Sequence, residues 1–241
     1  NYNTIMQILL YGRYGEFPKE LEQVVKNYGF EIIDPAAGGM TTPDVVVTYG
    51  GDGTLLGAER DWPGIPKLPL KNSDHCHLCY DIPNEKLLGR LVRGELKSKE
   101  YFKLEATVDD KKIIALNDIV IAHKFPNNAI RFTLAPSPYP LEPYIGDGLV
   151  IATPFGSTGY FYSVTKTAFT TGIGVAFNNI HNADIREKII DENEEIKVKI
   201  LRGPAVLAAD NDPNLVDLTP SAEIIIKKST QTAKILTLTE V

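Results

Sequence analysis

Short apolar runs alternate with an amphipathic stretch over the first third of the chain. The runs at residues 5–12, 30–33 and 44–49 have the length and composition of buried strands. Apolar residues recur at helical spacing over residues 17–28, and Pro18 suits the first turn of a helix. Strand, helix, strand and strand in this order predict the start of a parallel sheet in an α/β layer.

The pattern changes after about residue 95. Residues 84–94 still show helical spacing, whereas the rest of the chain consists of short β runs separated by turn residues, including runs at 223–228 and 233–239. The predicted fold class is therefore an α/β N-terminal domain with a parallel, Rossmann-like sheet over residues 1–95. A β-rich C-terminal domain follows over residues 96–241.

Composition and charge argue against two kinds of partner, nucleic acid and membrane. The 241-residue chain is 43% hydrophobic and 23% charged, as expected of a globular protein with a core. Its formal net charge is −6 and it has no dense Lys/Arg stripe, so we expect no nucleic-acid partner. It has no run of about 18 apolar residues, and its first residues lack the features of a signal peptide. We therefore expect no membrane span and a cytoplasmic location.

The stretch TYGGDGTLLG places glycines around one carboxylate, directly after an apolar strand. Gly50, Gly51 and Gly53 would lie at the carboxyl end of a parallel strand, where open α/β sheets bind ligands. Glycine lets a phosphate approach backbone N–H groups, and Thr54 adds a hydroxyl donor. Asp52 would repel a phosphate, so it fits better as a proton acceptor or as a ligand of the metal that carries the phosphates.

A simpler interpretation of the same stretch stays open. The glycines could form a tight turn in which Asp52 only caps a short helix beginning at Leu55. The stretch is not a Walker loop, because the G-K-[ST] ending is absent.

Two more polar stretches interrupt apolar runs. Asn117 and Asp118 lie within the apolar run 115–121, which predicts polar side chains inside a strand. Buried polar groups need partners, so these two either bind a ligand or bond to neighbouring backbone at a bulge. Residues 146–160 predict a strand that leads into a small-residue turn with three hydroxyl side chains, Thr153, Ser157 and Thr158.

Together these stretches resemble the NAD kinase family. The chain shows GGDGT, LND and GDGLVIATPFGSTGY in the order in which the family carries its three motifs. The resemblance covers roughly residues 49–181. It implies an N-terminal α/β domain and a C-terminal β-rich domain with the site between them, which agrees with the division predicted from the apolar pattern.

The resemblance implies phosphoryl transfer from ATP, or from polyphosphate, to the adenosine 2′-hydroxyl of NAD. Asp52 would be the catalytic base that removes the proton of that hydroxyl. Mg²⁺ is implied as the cation that neutralises the phosphates. A homodimer or homotetramer is also implied, because subunits in the family commonly assemble so that neighbours approach the site.

The resemblance also implies two groups of binding residues. The backbone and hydroxyl groups of one loop would hold the phosphates: Gly50, Gly51, Gly53 and Thr54. The β-rich domain would bind the dinucleotide through Asn117, Asp118 and Asp147, with Thr158 and Tyr160 lining the adenosine pocket.

The chain departs from the family pattern at several positions. Asp118 replaces the family's Glu, Phe155 replaces a small hydroxyl residue and Gly159 replaces Ala. Residues 68–81, LPLKNSDHCHLCYD, stand where the family carries a Gly-Arg-Leu-Gly-Phe-Leu-type segment. Two alternatives follow, namely a related phosphotransferase with another hydroxyl acceptor and a non-catalytic dinucleotide-binding protein. A Rossmann dehydrogenase ranks last, because the glycine spacing in residues 12–15 is incomplete.

The segment 74–79 is dense in possible metal ligands. Cys76 and Cys79 have the C-x-x-C spacing of half a zinc site, and His75 and His77 flank the first cysteine. No second C-x-x-C occurs, and neighbouring residues on a strand point to opposite sides. A loop or strand with small buried thiols is the preferred interpretation, and we assign no residue to a metal.

Overall fold

The computed structural model describes residues 5–12, 15–35, 41–72, 79–136 and 143–238. The chain forms two compact units. Unit 1 comprises Asn1–Tyr101 and Thr232–Val241, and unit 2 comprises Phe102–Gln231. The last strand thus returns to unit 1. The domain limits expected from the sequence, 1–95 and 96–241, stay a prediction.

Unit 1 is built on parallel strands. The elements in chain order are β1 (Gln7–Gly12), α1 (Lys19–Asn27), β2 (Glu31–Ile32), β3 (Val45–Gly50), α2 (Asp52–Asp61), β4 (Lys67–Lys71) and α3 (Asn84–Val92), with β16 (Glu223–Leu238) last. The strand order is β2-β1-β3-β4, with the end of β16 beside β4, and Leu9 of β1 pairs with Val46 of β3. These parallel pairs confirm the predicted α/β class.

The apolar runs of unit 1 form its core. Ile8, Val47 and Leu68 from three neighbouring strands are fully buried, and Val25 of α1 and Leu88 of α3 pack into the same cluster. Burying each such side chain stabilises the fold by roughly 1.5–3 kcal/mol. The amphipathic spacing in the sequence therefore reflects the face that each helix turns towards the sheet.

The first helix differs slightly from its prediction. Pro18 lies at the N-cap, with φ −62° and ψ 130°, and α1 begins one residue later. Gly29 follows the helix with φ +80°, a conformation that glycine adopts without strain. The two residues therefore bound the helix as proline and glycine commonly do.

Unit 2 consists almost entirely of antiparallel strands, which confirms the β-rich prediction. One sheet has the order β12-β11-β10-β7-β14-β15, and the N-terminal part of β16 continues into β13, β8 and β9. The elements are β5 (Leu96–Val108), β6 (Lys111–Ala115), β7 (Asp118–His123), β8 (Ile130–Ala135), β9 (Tyr144–Gly146), β10 (Gly148–Ala152), α4 (Tyr160–Thr165), β11 (Ile173–Asn178), β12 (Glu187–Ile190), β13 (Ile196–Arg202), β14 (Ala205–Ala209) and β15 (Val216–Leu218).

A large apolar cluster joins the strands of unit 2. Ile121 and Ile151 come from paired strands of the first sheet, whereas Phe132 and Ile226 come from the other strands. All four side chains are fully buried. In β8, buried and more exposed positions alternate as the period-two strand pattern requires, whereas every residue of β10 is buried.

The C-terminal β runs form a single strand. The sequence predicts separate runs at 223–228 and 233–239, but β16 extends without interruption over Glu223–Leu238. Thr230 and Gln231, which separate the apolar runs, are exposed. Polar side chains on an exposed stretch of strand leave the backbone ladder intact, so a polar interval in sequence does not end the strand.

In the part of the chain that the structure describes, no helix has both the length and the apolar character needed to cross a membrane.

Candidate functional site

The glycine-rich stretch of unit 1 forms the corner between β3 and α2. Gly51 is the N-cap of α2, and its carbonyl accepts hydrogen bonds from the backbone N–H groups of Thr54 and Leu55 at 2.9 and 3.4 Å. The helix therefore begins at Asp52, three residues earlier than Leu55. Asp52 occupies the first turn, so it is not the cap residue that the simpler interpretation required.

The two glycines of this corner have different surroundings. A Cβ atom on Gly50 would lie 2.0 Å from Oγ1 of the buried Thr54, so only a hydrogen atom fits there. A Cβ atom on Gly51 would meet nothing within 4 Å. Gly50 thus serves the packing of the corner, whereas Gly51 leaves open space in front of the helix N-terminus.

Asp52 is half-buried, and Gly53 beside it is exposed. The first N–H groups of a helix have no partner within the helix and carry a partial positive charge. They favour an anion, whether the carboxylate of Asp52 or a phosphate in front of Gly51. The corner thus combines a proton acceptor with a surface that attracts phosphate.

A second polar cluster lies in unit 2 at the turn between β6 and β7. The carboxylate of Asp210 accepts three backbone hydrogen bonds, from the N–H groups of Leu116 (2.8 Å), Asn117 (2.7 Å) and Asp118 (3.1 Å). The backbone N–H of Asp210 donates in return to the carbonyl of Asp118 at 2.9 Å. This clamp holds residues 116–118 in a turn, so the prediction that Asn117 lies within a strand is wrong. Asp118 is the first residue of β7.

The turn at 153–157 packs against the same segment. Thr153 donates its hydroxyl to the carbonyl of Leu116 at 2.6 Å and its backbone N–H to the carbonyl of Asn117 at 2.9 Å. A Cβ atom on Gly156 would lie 2.2 Å from the carbonyl oxygen of Asn117. The second and third sequence motifs are therefore in direct contact, and the glycine is what permits it.

One atom of this cluster lacks a partner. Among the described residues, the side-chain Oδ1 of Asn117 is buried and accepts no hydrogen bond. Leaving a buried acceptor unsatisfied costs about 1–3 kcal/mol. A ligand that brings a hydrogen-bond donor to this position would remove that cost.

The two carboxyl groups of the cluster have perturbed pKa values. Burial, and then the charge of Asp210, raises the pKa of Asp118 to about 7. Burial also raises the pKa of Asp210, while hydrogen bonds from the three backbone N–H groups and the charge of buried Lys103 oppose that rise. The pKa of Asp118 thus lies near neutral pH. The backbone N–H groups that bind the Asp210 carboxylate favour its charged form.

Asp147 lies between β9 and β10, flanked by Gly146 and Gly148. Its Oδ2 accepts a hydrogen bond from the Nδ2 of Asn179 at 2.7 Å, and its Oδ1 lies 3.9 Å from the Nε2 of His123. A Cβ atom on Gly148, whose φ is +144°, would lie 1.9 Å from the carbonyl oxygen of Ile121. The carboxylate keeps an exposed fraction of 35%.

A cavity of about 390 Å³ lies in unit 2 beside α4. Tyr160 and Ser163 of α4 line it, together with residues from the end of β11 and the segment after it, among them Phe177, Asn178, Asn179, Asp184 and Arg186. Tyr160, a predicted pocket residue, is thus part of a cavity. Thr158 is exposed and does not line it.

The possible metal ligands Asp74, His75, Cys76 and His77 lie outside the described residues. Cys79 is described, and its Sγ lies 3.7 Å from the carbonyl oxygen of Gly50. Over the described ranges, no three His, Cys, Asp or Glu side chains form a group that could hold a metal ion.

The sequence interpretation missed Asp210 and Lys103. Asp210 follows the apolar run of β14 and precedes a turn, a position shared by many solvent-exposed aspartates. Its φ of +49° and its bonds to residues 116–118 depend on a contact across more than 90 positions of sequence. A polar residue at the end of a buried strand was the only signal in the sequence.

Fold and site together define a class of protein. A parallel sheet with a glycine corner and a carboxylate, followed by a β-rich unit with a cavity of about 390 Å³, fits a protein that binds nucleotides. The described fold also matches solved structures across nearly its whole length. An NAD kinase from Archaeoglobus fulgidus in complex with ATP superposes with a TM-score of 0.79 at 19% identity, covering 97% of this chain and 94% of that one. Yeast NADH kinase complexed with NADH gives 0.81 at 17% identity, covering 99% and 85%.

Comparison of sequences names the family. Residues 116–238 match the model of the ATP-NAD kinase C-terminal domain. The NAD kinase of Sulfurisphaera tokodaii is 35% identical over 191 residues, which is 77% of this chain and 73% of the relative. The NAD kinase of Natranaerobius thermophilus is 28% identical over 242 residues, or 91% and 83%. The chain belongs to the NAD kinase family, as the three sequence motifs predicted.

Proposed function

We propose that Asp52 acts as the general base when this NAD kinase transfers the terminal phosphate of ATP to the adenosine 2′-hydroxyl of NAD. Kinase activity on NAD with ATP as donor follows from membership of the family. The roles of individual residues are our proposal. The observation that carries it is the half-buried carboxylate of Asp52 in the first turn of α2, beside the open space at Gly51.

The glycine corner supports phosphate binding. With no side chain at Gly51 or Gly53, a phosphate can approach the N–H groups at the start of α2. The open space in front of Gly51 is large enough that even a Cβ atom would make no contact there. We propose that Gly50 and Thr54 contribute by fixing the shape of this corner, since they pack directly against each other.

Asp52 supplies proton removal in this mechanism. As the 2′-hydroxyl oxygen forms a bond to the γ-phosphorus of ATP, the bond from that phosphorus to the bridging β–γ oxygen breaks and ADP leaves. The hydroxyl proton becomes acidic during this step, and a carboxylate within hydrogen-bond reach accepts it. Such general-base assistance contributes about 10²–10⁴-fold to rate, and positioning and charge neutralisation contribute the remainder. The partial positive charge at the start of α2 stabilises the negative charge on the phosphate oxygens during the transfer.

We propose Mg²⁺ as the cation bound to the donor phosphates. It neutralises charge on the transferred group. Mg²⁺ keeps several waters and binds one or two carboxylates together with substrate phosphates, so it needs no cage of protein ligands. Asp52 would offer a carboxylate oxygen to such an ion at the phosphate corner.

Unit 2 would bind the dinucleotide. Asn117 offers a buried acceptor with no partner in the described structure, which suits an amino or hydroxyl donor of the adenosine. Asp147 has an exposed carboxylate face, and Tyr160 presents an aromatic ring to a cavity of about 390 Å³. Asp118 supports the same turn. Thr158 is exposed next to α4 and would contact the ligand from its open side.

Polyphosphate as an alternative donor, a homodimer or homotetramer and a cytoplasmic location are further parts of this proposal. A polyphosphate chain presents the same anionic end to the glycine corner as ATP does. The oligomeric state rests on the resemblance to the family, and the location stays an expectation from the sequence.

The test is formation of NADP from NAD, ATP and Mg²⁺ by the purified protein. Asn117→Leu removes the unpartnered acceptor, so we expect it to raise the KM for NAD about tenfold, the effect of roughly 1.4 kcal/mol, without lowering the melting temperature. Asn128→Leu, on an exposed turn of unit 2, is the matched control and leaves KM unchanged. Absence of NADP with wild-type protein, or phosphorylation of a different hydroxyl of NAD, would contradict the proposal.

A further inference from the structure

We infer that His123 is a positioning residue that fixes the Asp147 carboxylate for binding of NAD. The inference rests on the proposed function, in which Asp147 contacts the dinucleotide. His123 ends β7, and its backbone N–H donates to the carbonyl of Asp147 at 3.0 Å. Backbone and side chain of His123 therefore both face Asp147.

The imidazole has one atom directed at the carboxylate and one atom directed into the protein. The Nε2 lies 3.9 Å from Oδ1 of Asp147. Among the described residues, the Nδ1 is buried and has no hydrogen-bond partner. Because Nδ1 lacks a partner with or without the proton, it does not distinguish the two tautomers. A lone pair on Nε2 would be repelled by the carboxylate 3.9 Å away, whereas an N–H on Nε2 is attracted to it. The surroundings therefore select the tautomer that carries its proton on Nε2.

Each carboxylate oxygen of Asp147 has a neighbouring side chain. Asn179 donates to Oδ2 at 2.7 Å, and Nε2 of His123 lies 3.9 Å from Oδ1, within electrostatic range but longer than a hydrogen bond. The backbone contributes too, because neither Gly146 nor Gly148 has room for a Cβ atom. A carboxylate restrained at both oxygens keeps its remaining lone pairs in one direction, and its exposed fraction of 35% leaves them accessible to a ligand.

Asn179 connects this arrangement to the cavity. It lines the cavity beside Tyr160 and donates to Asp147 at the same time. The carboxylate therefore lies next to the space in which we propose that the dinucleotide binds. Without His123, Asn179 would be the single described side chain that restrains the carboxylate. We therefore expect loss of His123 to raise the KM for NAD more than it lowers kcat.

Two substitutions separate positioning from packing. Gln places its side-chain nitrogen near the position of the histidine Nε2, so His123→Gln keeps a donor towards Asp147. His123→Leu keeps the volume but removes the donor. We expect His123→Leu to raise the KM for NAD roughly threefold to fivefold, the range for loss of one polar contact, with kcat within about twofold. His123→Gln should restore most of the wild-type KM, and His181→Gln, on an exposed loop, is the control.

Equal KM values for His123→Leu and the wild type, or equal increases for the Leu and Gln variants, would overturn the inference. A measurement without substrate separates it from the proposed function. Nitrogen NMR of the imidazole should find the proton of neutral His123 on Nε2, and Asp147→Ala should reduce that preference. A proton on Nδ1 also overturns the inference. Wild-type protein that makes no NADP, but keeps the Nε2 tautomer, contradicts the proposed function and not the contact.

Discussion

The glycine corner of unit 1 and the polar turn of unit 2 prepare for a ligand in opposite ways. At the corner, Asp52 is half-buried, Gly53 is exposed, and a Cβ atom on Gly51 would meet nothing. At the turn, the polar groups are largely buried, and Asp210 satisfies three backbone donors. The corner thus leaves groups accessible at a helix N-terminus, whereas the turn encloses its polar groups in a hydrogen-bonded network.

This difference has consequences for mutation. A conservative change at an accessible position, such as Asp to Asn, alters the folding free energy little, so its effect should appear in catalysis. Groups inside a hydrogen-bonded network support the fold as well as the ligand, so their loss should appear in both. Substitutions in the two regions therefore test whether the contrast holds.

The largest expected effect is on catalysis at the corner. Asp52→Asn keeps the shape of the side chain but removes the proton acceptor. We expect kcat to fall by about 10²–10⁴-fold, the range for loss of a general base, with a change in unfolding free energy below about 1 kcal/mol. Rapid-quench measurement of NADP formation checks the rate, and thermal unfolding checks the stability.

Asp109→Asn is the matched control for this substitution. Asp109 is exposed in the turn between β5 and β6 with φ +53°, a conformation that asparagine also adopts. Its kcat should equal that of the wild type. If Asp52→Asn keeps more than a tenth of the wild-type kcat, Asp52 is not the base. Changes at the corner would then not act mainly on catalysis.

The next largest effect is on stability at the polar turn. Asp210→Ala leaves three buried backbone N–H groups without their acceptor, at about 1–3 kcal/mol for each group. We expect a loss of at least about 3 kcal/mol in unfolding free energy, together with a higher KM for NAD because residues 116–118 lose their restraint. Chemical denaturation and steady-state kinetics measure the two effects.

Asp212→Ala tests the same change two positions away. Asp212 accepts from Asn214 at 2.9 Å within an exposed local turn, so its loss should cost about 1 kcal/mol or less. A similar cost for the two alanine variants would mean that the clamp contributes no more than an ordinary surface turn.

A smaller effect concerns pH. Burial and the charge of Asp210 raise the pKa of Asp118 to about 7, against about 3.9 in an unfolded chain. Between these values the folded state binds more protons than the unfolded state, so this group makes stability fall as pH rises from about 4 to about 7. Asp118→Asn removes the charge and should therefore stabilise the protein by roughly 2–3 kcal/mol more at pH 8 than at pH 5.

Denaturation curves at the two pH values provide the measurement, and Asp217→Asn is the control because Asp217 is exposed and paired with Lys124 at the surface. A pH-independent effect of Asp118→Asn would show that the carboxyl group titrates normally. Burial in the turn would then leave the pKa of its carboxyl group unchanged, and this difference between the turn and the corner would disappear.

The sequence predicted the corner better than the turn. Apolar run, glycines and helix follow each other within 18 residues, so β3, the corner and α2 were recognisable from local pattern. The turn depends on Asp210, which lies 92 residues from Asp118. The backbone N–H groups of residues 116–118 bond to the side chain of Asp210 and not to a neighbouring strand. The apolar run that predicts one strand is therefore divided between β6 and β7.

The same limit applies to the fold. Strand identity in unit 1 followed from composition, whereas the return of β16 to lie beside β4 depends on the pairing of Ile235 with Lys67. Pairing partners far apart in sequence leave no periodic signal. Likewise, the contact between His123 and Asp147 arises from two different strand ends, and each residue alone resembles an ordinary polar residue at a turn.

The smallest effect on stability, and the sharpest test of the corner, comes from its two neighbouring glycines. Gly51→Ala adds a methyl group to open space at φ −98° and ψ −168°, so we expect a stability change within about 1 kcal/mol. The same methyl group would occupy the space proposed for the phosphate, and the KM for ATP should rise about tenfold, or roughly 1.4 kcal/mol.

Gly50→Ala is the control, and we expect it to affect stability rather than binding. Its Cβ atom would lie 2.0 Å from Thr54 Oγ1 and should destabilise the fold by about 1–3 kcal/mol. An unchanged KM for ATP in Gly51→Ala would mean that phosphate does not approach this face, since no protein atom there competes with the added methyl group.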